Sequence, residues 1–190
     1  MNKIILTAAS QVTAADLPTA RLGPRFGRLD LASQLALLAV EKLGVNFDPL
    51  PRERVAICLA AQAGSLSTDI EFWRGRNGAG GPSPTLFAYT LPSAAIGELA
   101  IRHRLTGPNL CLTGDSRDVL PEAADLLLRG EADYCVGVFC NVISAAAGAM
   151  LSLPESASAS AVFLQRGGAG LVDLGEFDRD MEVLCAKFRT

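Results

Sequence analysis

The chain has 190 residues, 49% of them hydrophobic and 19% charged, which is enough for one packed domain and too apolar for a disordered chain. A net charge of −3 argues against nucleic acid as the main partner, and no apolar run reaches the ~20 residues that span a bilayer. The start of the chain, with Lys3 before a short apolar run, falls short of a signal peptide, so a cytoplasmic protein is expected.

Lys3–Ala8 reads as a first strand, and Ser10–Arg28, with Pro18, Gly23, Pro24 and Gly27, as a loop. Asp30 is placed to cap a helix over Leu31–Leu43, which Gly44 ends; this segment is apolar almost all round and should be buried on more than one side. Pro49–Glu53 is a turn. The continuous apolar run Arg54–Ala61 suits a central strand covered on both faces. A short helix over Ser67–Trp73 precedes a glycine-rich loop, Gly75–Pro84, and a long helix follows over Pro92–Arg104. Then come a strand at Leu110–Thr113, a helix at Asp118–Arg129 with Pro121 in its first turn, and strands at Asp133–Asn141, Ser160–Gln165 and Ala169–Phe177. This alternation predicts an α/β architecture whose five- to six-stranded mixed sheet is mostly parallel, with helices on its faces.

Five cysteines (Cys58, Cys111, Cys135, Cys140 and Cys185) without CxxC spacing read as buried thiols rather than metal ligands, and no metal or other cofactor is expected. The single histidine, His103, excludes any mechanism that needs two from this chain. Arg21, Arg25 and Arg28 share one loop, while Arg74 and Arg76 follow the short helix; together they form a candidate docking patch for an acidic protein.

Four stretches carry a family resemblance: Arg25–Gly44 (RFGRLDLASQLALLAVEKLG), Arg54–Trp73 (RVAICLAAQAGSLSTDIEFW), Leu91–Leu110 (LPSAAIGELAIRHRLTGPNL) and Glu122–Val138 (EAADLLLRGEADYCVGV). From about residue 1 to 165 the chain resembles the N-terminal half of β-ketoacyl synthases, the condensing enzymes of fatty acid and polyketide synthesis, which have the thiolase-like fold. The resemblance implies a thiolase-like half-fold, with the whole chain, 1–190, as one domain of this kind. It also implies a nucleophilic cysteine at a sharp turn beyond the Gly107–Pro108–Asn109 segment, where the helix dipole would lower the thiol pKa. Counting forward places Ser116 there instead, between Asp115 and Asp118, and the nearest thiol, Cys111, falls inside the strand. The family's catalytic histidines belong to a C-terminal half that this sequence does not include.

The resemblance therefore implies a non-catalytic, chain-length-factor-like partner or scaffold in fatty acid or polyketide-type biosynthesis. Acyl carrier protein would dock on Arg21, Arg25, Arg28, Arg74 and Arg76. A homodimer, or a heterodimer with a complete β-ketoacyl synthase, would use Leu110, Leu112, Val119, Leu120, Leu126 and Leu127. The alternatives are an acyltransferase or thioesterase using Ser116 or Cys111, and an acyl-ligand binding module near Phe87, Tyr89 and the Gly107–Asn109 turn.

Overall fold

A computed structural model describes residues 3–20, 22–167, 172–173 and 180–187. In chain order the elements are β1 (Ile4–Thr13), α1 (Leu31–Lys42), β2 (Val55–Ala61), α2 (Leu66–Gly75), α3 (Pro84–Phe87), α4 (Ala94–His103), β3 (Asn109–Thr113), α5 (Val119–Leu128), β4 (Tyr134–Ile143), α6 (Ala145–Leu151), β5 (Ser156–Arg166), β6 (Val172–Asp173) and α7 (Met181–Lys187). The strands form one mixed sheet in the order β3-β2-β4-β5-β1-β6.

Residues of β2 are buried at every position, as its unbroken apolar run requires. Above one face lie α1 and α4, packing Leu35, Leu38, Ile96 and Leu99 against Ile57, Leu59, Val136 and Val138. Below the other lie α5 and α7, packing Val119, Leu127, Met181 and Leu184 against Cys58, Phe139, Val162 and Leu164. The result is an α/β/α sandwich, matching the expected fold class.

The sheet is less parallel than expected. Only β3, β2 and β4 run parallel, while β5 pairs antiparallel with both β4 and β1, and β6 antiparallel with β1. The cause is α6. Rather than crossing a sheet face, it stays at the carboxyl end of β4, against α2, so β5 begins where β4 ends and runs back.

Several boundaries also move. β1 continues to Thr13 through polar residues, because Ser10 and Gln11 pair with Ala161 and Ser160, and the Ser10 hydroxyl donates to the Ala39 carbonyl at 2.6 Å. The Gly75–Pro84 loop ends in a short helix, α3, whose cap is Ser83. Of the strand expected over Ala169–Phe177, Val172–Asp173 is described as β6 and the remainder lies outside the described residues. As expected, Asp30 caps α1, accepting from the Ser33 N–H at 3.0 Å.

Two glycines set how closely the pieces approach. A Cβ on Gly107 would stand 2.3 Å from the Val55 carbonyl oxygen, so the turn into β3 can lie on β2 only without a side chain. A Cβ on Gly137 would stand 2.9 Å from Val162 and 3.0 Å from Val119; its absence seats α5 on the sheet. At the far end of the sheet Arg54 grips Asp133 through two bonds, at 2.9 and 3.1 Å, and donates to the Gly130 carbonyl at 2.9 Å. Arg166 binds the same carboxylate. The Arg54 guanidinium holds the Asp133 carboxyl below its usual range.

Candidate functional site

Because β2, β3 and β4 are parallel, their carboxyl ends lie at one edge of the sheet, where α/β proteins place their ligands. The turn from β3 into α5 leaves this edge. Its shape is fixed by carboxylates: Asp118 Oδ2 accepts from the Asp115 N–H at 2.7 Å, and Asp115 Oδ1 accepts from the Arg117 N–H at 2.8 Å. The Arg117 guanidinium closes on Asp115 at 2.9 Å and lowers its pKa. Both carboxylates bond N–H groups of the turn itself, and the Asp118 side chain, at the N-cap position of α5, makes no cap bond to the helix.

Ser116 is buried in this turn. Its Oγ donates to Asp180 Oδ1 at 2.7 Å, and that same oxygen accepts from Glu182 N–H at 3.0 Å and Val183 N–H at 3.4 Å. The Met181 N–H donates to the Ser116 carbonyl at 3.2 Å. Ser116 therefore fastens α7 to the start of α5. Its hydroxyl is committed to a carboxylate that is itself engaged as a helix cap, and no imidazole adjoins it. His103 ends α4 on the opposite face, its ring packed 4.7 Å from Phe47 and its Nε2 3.6 Å from Glu41; burial lowers its pKa.

The thiols are no better placed for attack. Cys111 is half-buried in β3 with its pKa raised by burial. Burial pushes Cys58, Cys140 and Cys185 up to about 12, and Cys135 is raised as well. Among the described residues no group of three or more His, Cys, Asp or Glu side chains is arranged to hold a metal ion. No helix among them is long and apolar enough to cross a membrane.

The contact face expected on α5 needs correction. Val119, Leu120 and Leu127 are buried inside the chain, because the sheet beneath α5 already covers its apolar side. Leu126, Leu110 and Leu112 are half-buried on that same cluster, and β3, which carries the last two, is an open sheet edge.

Exposed apolar surface concentrates elsewhere, around α2, α3 and α6. A groove of about 770 Å³ lies between Arg28, Glu71, Thr85, Leu86, Tyr89 and Glu155. Beside it is an apolar notch of about 550 Å³ walled by Ile70, Phe72, Trp73, Phe87 and Met150, with Arg74 at its edge. Leu86 and Phe87 of α3 thus face different openings. The four predicted docking arginines that are described divide accordingly. Arg28 lines the groove, Arg74 lines the notch, Arg76 stacks 3.7 Å over the Trp73 ring, and Arg25 pairs with Glu98 at 3.4 Å. Arg21 lies outside the described residues.

The ligand pocket expected near Phe87, Tyr89 and the Gly107–Asn109 turn is not assembled as one cavity. Tyr89 and Phe87 line separate openings, and Gly107 lies against Val55 at the opposite end of β2. Two residues escaped sequence reasoning. Asp180 gave no signal beyond an acid before a short amphipathic segment, and Met150 reaches the notch only through the fold. Trp73 could have been found, as a lone tryptophan set between charged residues ahead of a glycine-rich loop.

No family model and no curated protein matches the chain. Solved structures do. The ishigamide ketosynthase/chain length factor superposes with a TM-score of 0.72 at 20% identity, over 88% of this chain and 63% of that one. A ketosynthase in complex with its chain length factor from Xenorhabdus doucetiae gives 0.65 at 17% identity, over 88% and 80%. The chain shares the fold of part of these ketosynthase structures. A β-ketoacyl synthase from Burkholderia phymatum STM815 gives 0.68 at 13% identity, over 88% of this chain and 60% of that one. A type II polyketide synthase acyl-carrier protein in complex with its ketosynthase gives 0.69 at 14% identity, over 87% and 63%. This chain thus spans a little under two thirds of most of these relatives. The β3–α5 turn, Gly114–Asp118, contains no cysteine.

Proposed function

We propose that this chain is a non-catalytic, chain-length-factor-like partner of a ketosynthase in polyketide- or fatty-acid-type biosynthesis. One observation carries the reading: at the β3–α5 turn, Ser116 is buried and bonded to Asp180, while Asp115 and Asp118 occupy the helix end where a condensing enzyme would need an accessible, activated nucleophile. The solved neighbours support the partnership, since two of them contain a ketosynthase together with a chain length factor. The open edge of β3, with Leu110 and Leu112, offers the surface for a heterodimer. Acyl carrier protein is the second expected partner, on the side that carries Arg28, Arg74 and Arg76.

Coexpression with a complete ketosynthase and a carrier protein encoded beside it tests this. The expected result is a one-to-one complex in which chain extension requires the ketosynthase cysteine and is unchanged by Ser116→Ala or Cys111→Ala in this chain. Condensation of acyl and malonyl units by the chain alone, or a covalent acyl adduct on Ser116 or Cys111 by mass spectrometry, would overturn it.

A further inference from the structure

A second cleft, of about 580 Å³, opens at the opposite end of the sheet from the groove and the notch, beside the amino end of β2 and between the carboxyl ends of α1 and α4. Its wall is charged: Glu41 from α1, Asp48 and Arg52 from the segment ahead of β2, and Arg102, His103 and Arg104 from the end of α4. Val45 and the buried Phe47 are its apolar members, so it offers almost nothing to a hydrocarbon chain or an aromatic ring. None of the described arginines assigned to carrier docking lines it.

The three arginines differ in what they already hold. Arg52 donates to the His103 carbonyl, which answers the negative end of α4, and to Asp48 Oδ1 at 2.7 Å. Arg102 uses Nε on Glu41 and Nη1 on the Leu22 carbonyl at 2.9 Å, which leaves Nη2 without a partner among the described residues. Arg104 has no partner among them at all, yet it holds a costly position: its φ of 55° is left-handed, where the end of a helix ordinarily takes glycine. Three guanidiniums against two carboxylates leave one positive charge in the cleft while His103 is neutral. His103 Nε2 is a further unanswered group, buried without a hydrogen bond and 3.6 Å from Glu41 Oε1. Burial lowers the His103 pKa, and the charges around it act in opposite senses, Glu41 upward, Arg102 and Arg52 downward.

We propose that this cleft binds a small tetrahedral dianion of the phosphate class, free or as the end of a phosphomonoester, held by Arg102 and Arg104. Guanidinium forks match the oxygens of such an ion, and the polar wall favours it over a carboxylate carried on a hydrocarbon stem. As the ion engages Arg102, Glu41 is released toward His103. The imidazole takes up one proton from solvent and donates from Nε2 to Glu41. The cleft then carries two positive charges, which neutralise the dianion. The proposal goes beyond the ketosynthase-partner reading and does not rest on it.

Isothermal titration calorimetry of the full chain at constant ionic strength tests it. The probes are sodium sulfate, which stays a dianion between about pH 7.5 and 5.5, then inorganic phosphate and glycerol phosphate at the higher pH, with sodium chloride as the control. The expected result is saturable one-to-one binding of sulfate and phosphate and none of chloride. Sulfate should bind at least three-fold more tightly at the lower pH, with a buffer-dependent enthalpy that reports one proton taken up. Tighter binding of glycerol phosphate than of inorganic phosphate would make the ligand a phosphomonoester, and the reverse order the free ion. Arg104→Gly should weaken sulfate binding at least ten-fold while raising the urea midpoint, because glycine suits the left-handed φ. His103→Gln should bind sulfate at the higher pH and lose the pH dependence, and Arg129→Gln should change neither. No saturable binding, chloride binding equal to sulfate, an affinity indifferent to Arg104→Gly, or a pH dependence that survives His103→Gln would overturn the proposal. So would a glutamate-rich peptide that binds through Arg104 where sulfate and phosphate do not, which would assign the cleft to an acidic protein. None of these outcomes depends on whether a ketosynthase binds β3, so the two readings fail separately.

Discussion

Ser116, which counting along the sequence places where a nucleophile is expected, has a structural role in space. A serine hydroxyl becomes a nucleophile only when a base can take its proton, and the atom that receives it here is a carboxylate oxygen already capping α7. Replacing Ser116 by alanine should therefore weaken the α5–α7 junction and leave any pathway activity intact. The loss, one bond to a charged acceptor, should be about 1.5–3 kcal/mol, read as a lower urea midpoint and faster amide exchange in Met181–Lys187. A midpoint unchanged by Ser116→Ala would show that the bond does not hold the helix. The thiols give a second residue-scale outcome. With Cys58, Cys140 and Cys185 pushed up to about 12 by burial and Cys135 raised too, iodoacetamide at neutral pH should label Cys111, the one half-buried thiol, and reach the other four only after unfolding. Native labelling of Cys140 or Cys185 ahead of Cys111 would contradict the packing described.

Among the elements, α5 depends on a single position outside itself. Val119 enters the core where Gly137 leaves room, so Gly137→Val should force helix and strand apart and cost about 1–3 kcal/mol or more, measured by thermal or urea unfolding. Gly97 is the contrast. It lies inside α4 with nothing within 4 Å of the place a Cβ would take, so Gly97→Ala should stabilise by about 0.5–1 kcal/mol. Equal effects at the two positions would mean that the close approach at Gly137 is not what seats α5. Elements with a long, uniform signal were legible in the sequence: the twelve residues of α1 behind their Asp30 cap, the seven buried residues of β2, and α5 with Pro121 in its first turn. Short or mixed elements were not. α3 and α6 are too brief for a helical period to emerge and stand on contacts with α2, while Ser10 and Gln11 join β1 because β5 supplies the pairing that their own propensity does not.

At the scale of the whole molecule, helices on both faces leave the sheet open at β3, and the apolar surface that remains gathers near its carboxyl edge from segments distant in sequence. That is why the arginines, grouped along the chain, were legible, whereas the notch made by Trp73, Phe87 and Met150 was not. The same global arrangement makes stability depend on pH with a definite sign. Burial holds His103 below its ordinary 6.5, and Lys42, Arg117 and Arg54 hold Asp16, Asp115 and Asp133 below their ordinary 3.8. In each case the unfolded chain binds its proton first as pH falls, so acid favours unfolding. His103 acts first: its contribution is complete above 6.5 and is lost as pH falls from there through its lowered folded value. The carboxylates act later, from 3.8 downward, whereas Glu182, whose pKa burial raises above 4.5, adds stability earlier, as pH falls towards 4.5, and so opposes the first stage. The urea midpoint should therefore fall in two stages on acidification, and His103→Gln, which keeps a polar side chain of similar reach beside Glu41 and Phe47, should remove the first stage and spare the second. A first stage that survives His103→Gln would mean that the imidazole is not held neutral in the folded chain.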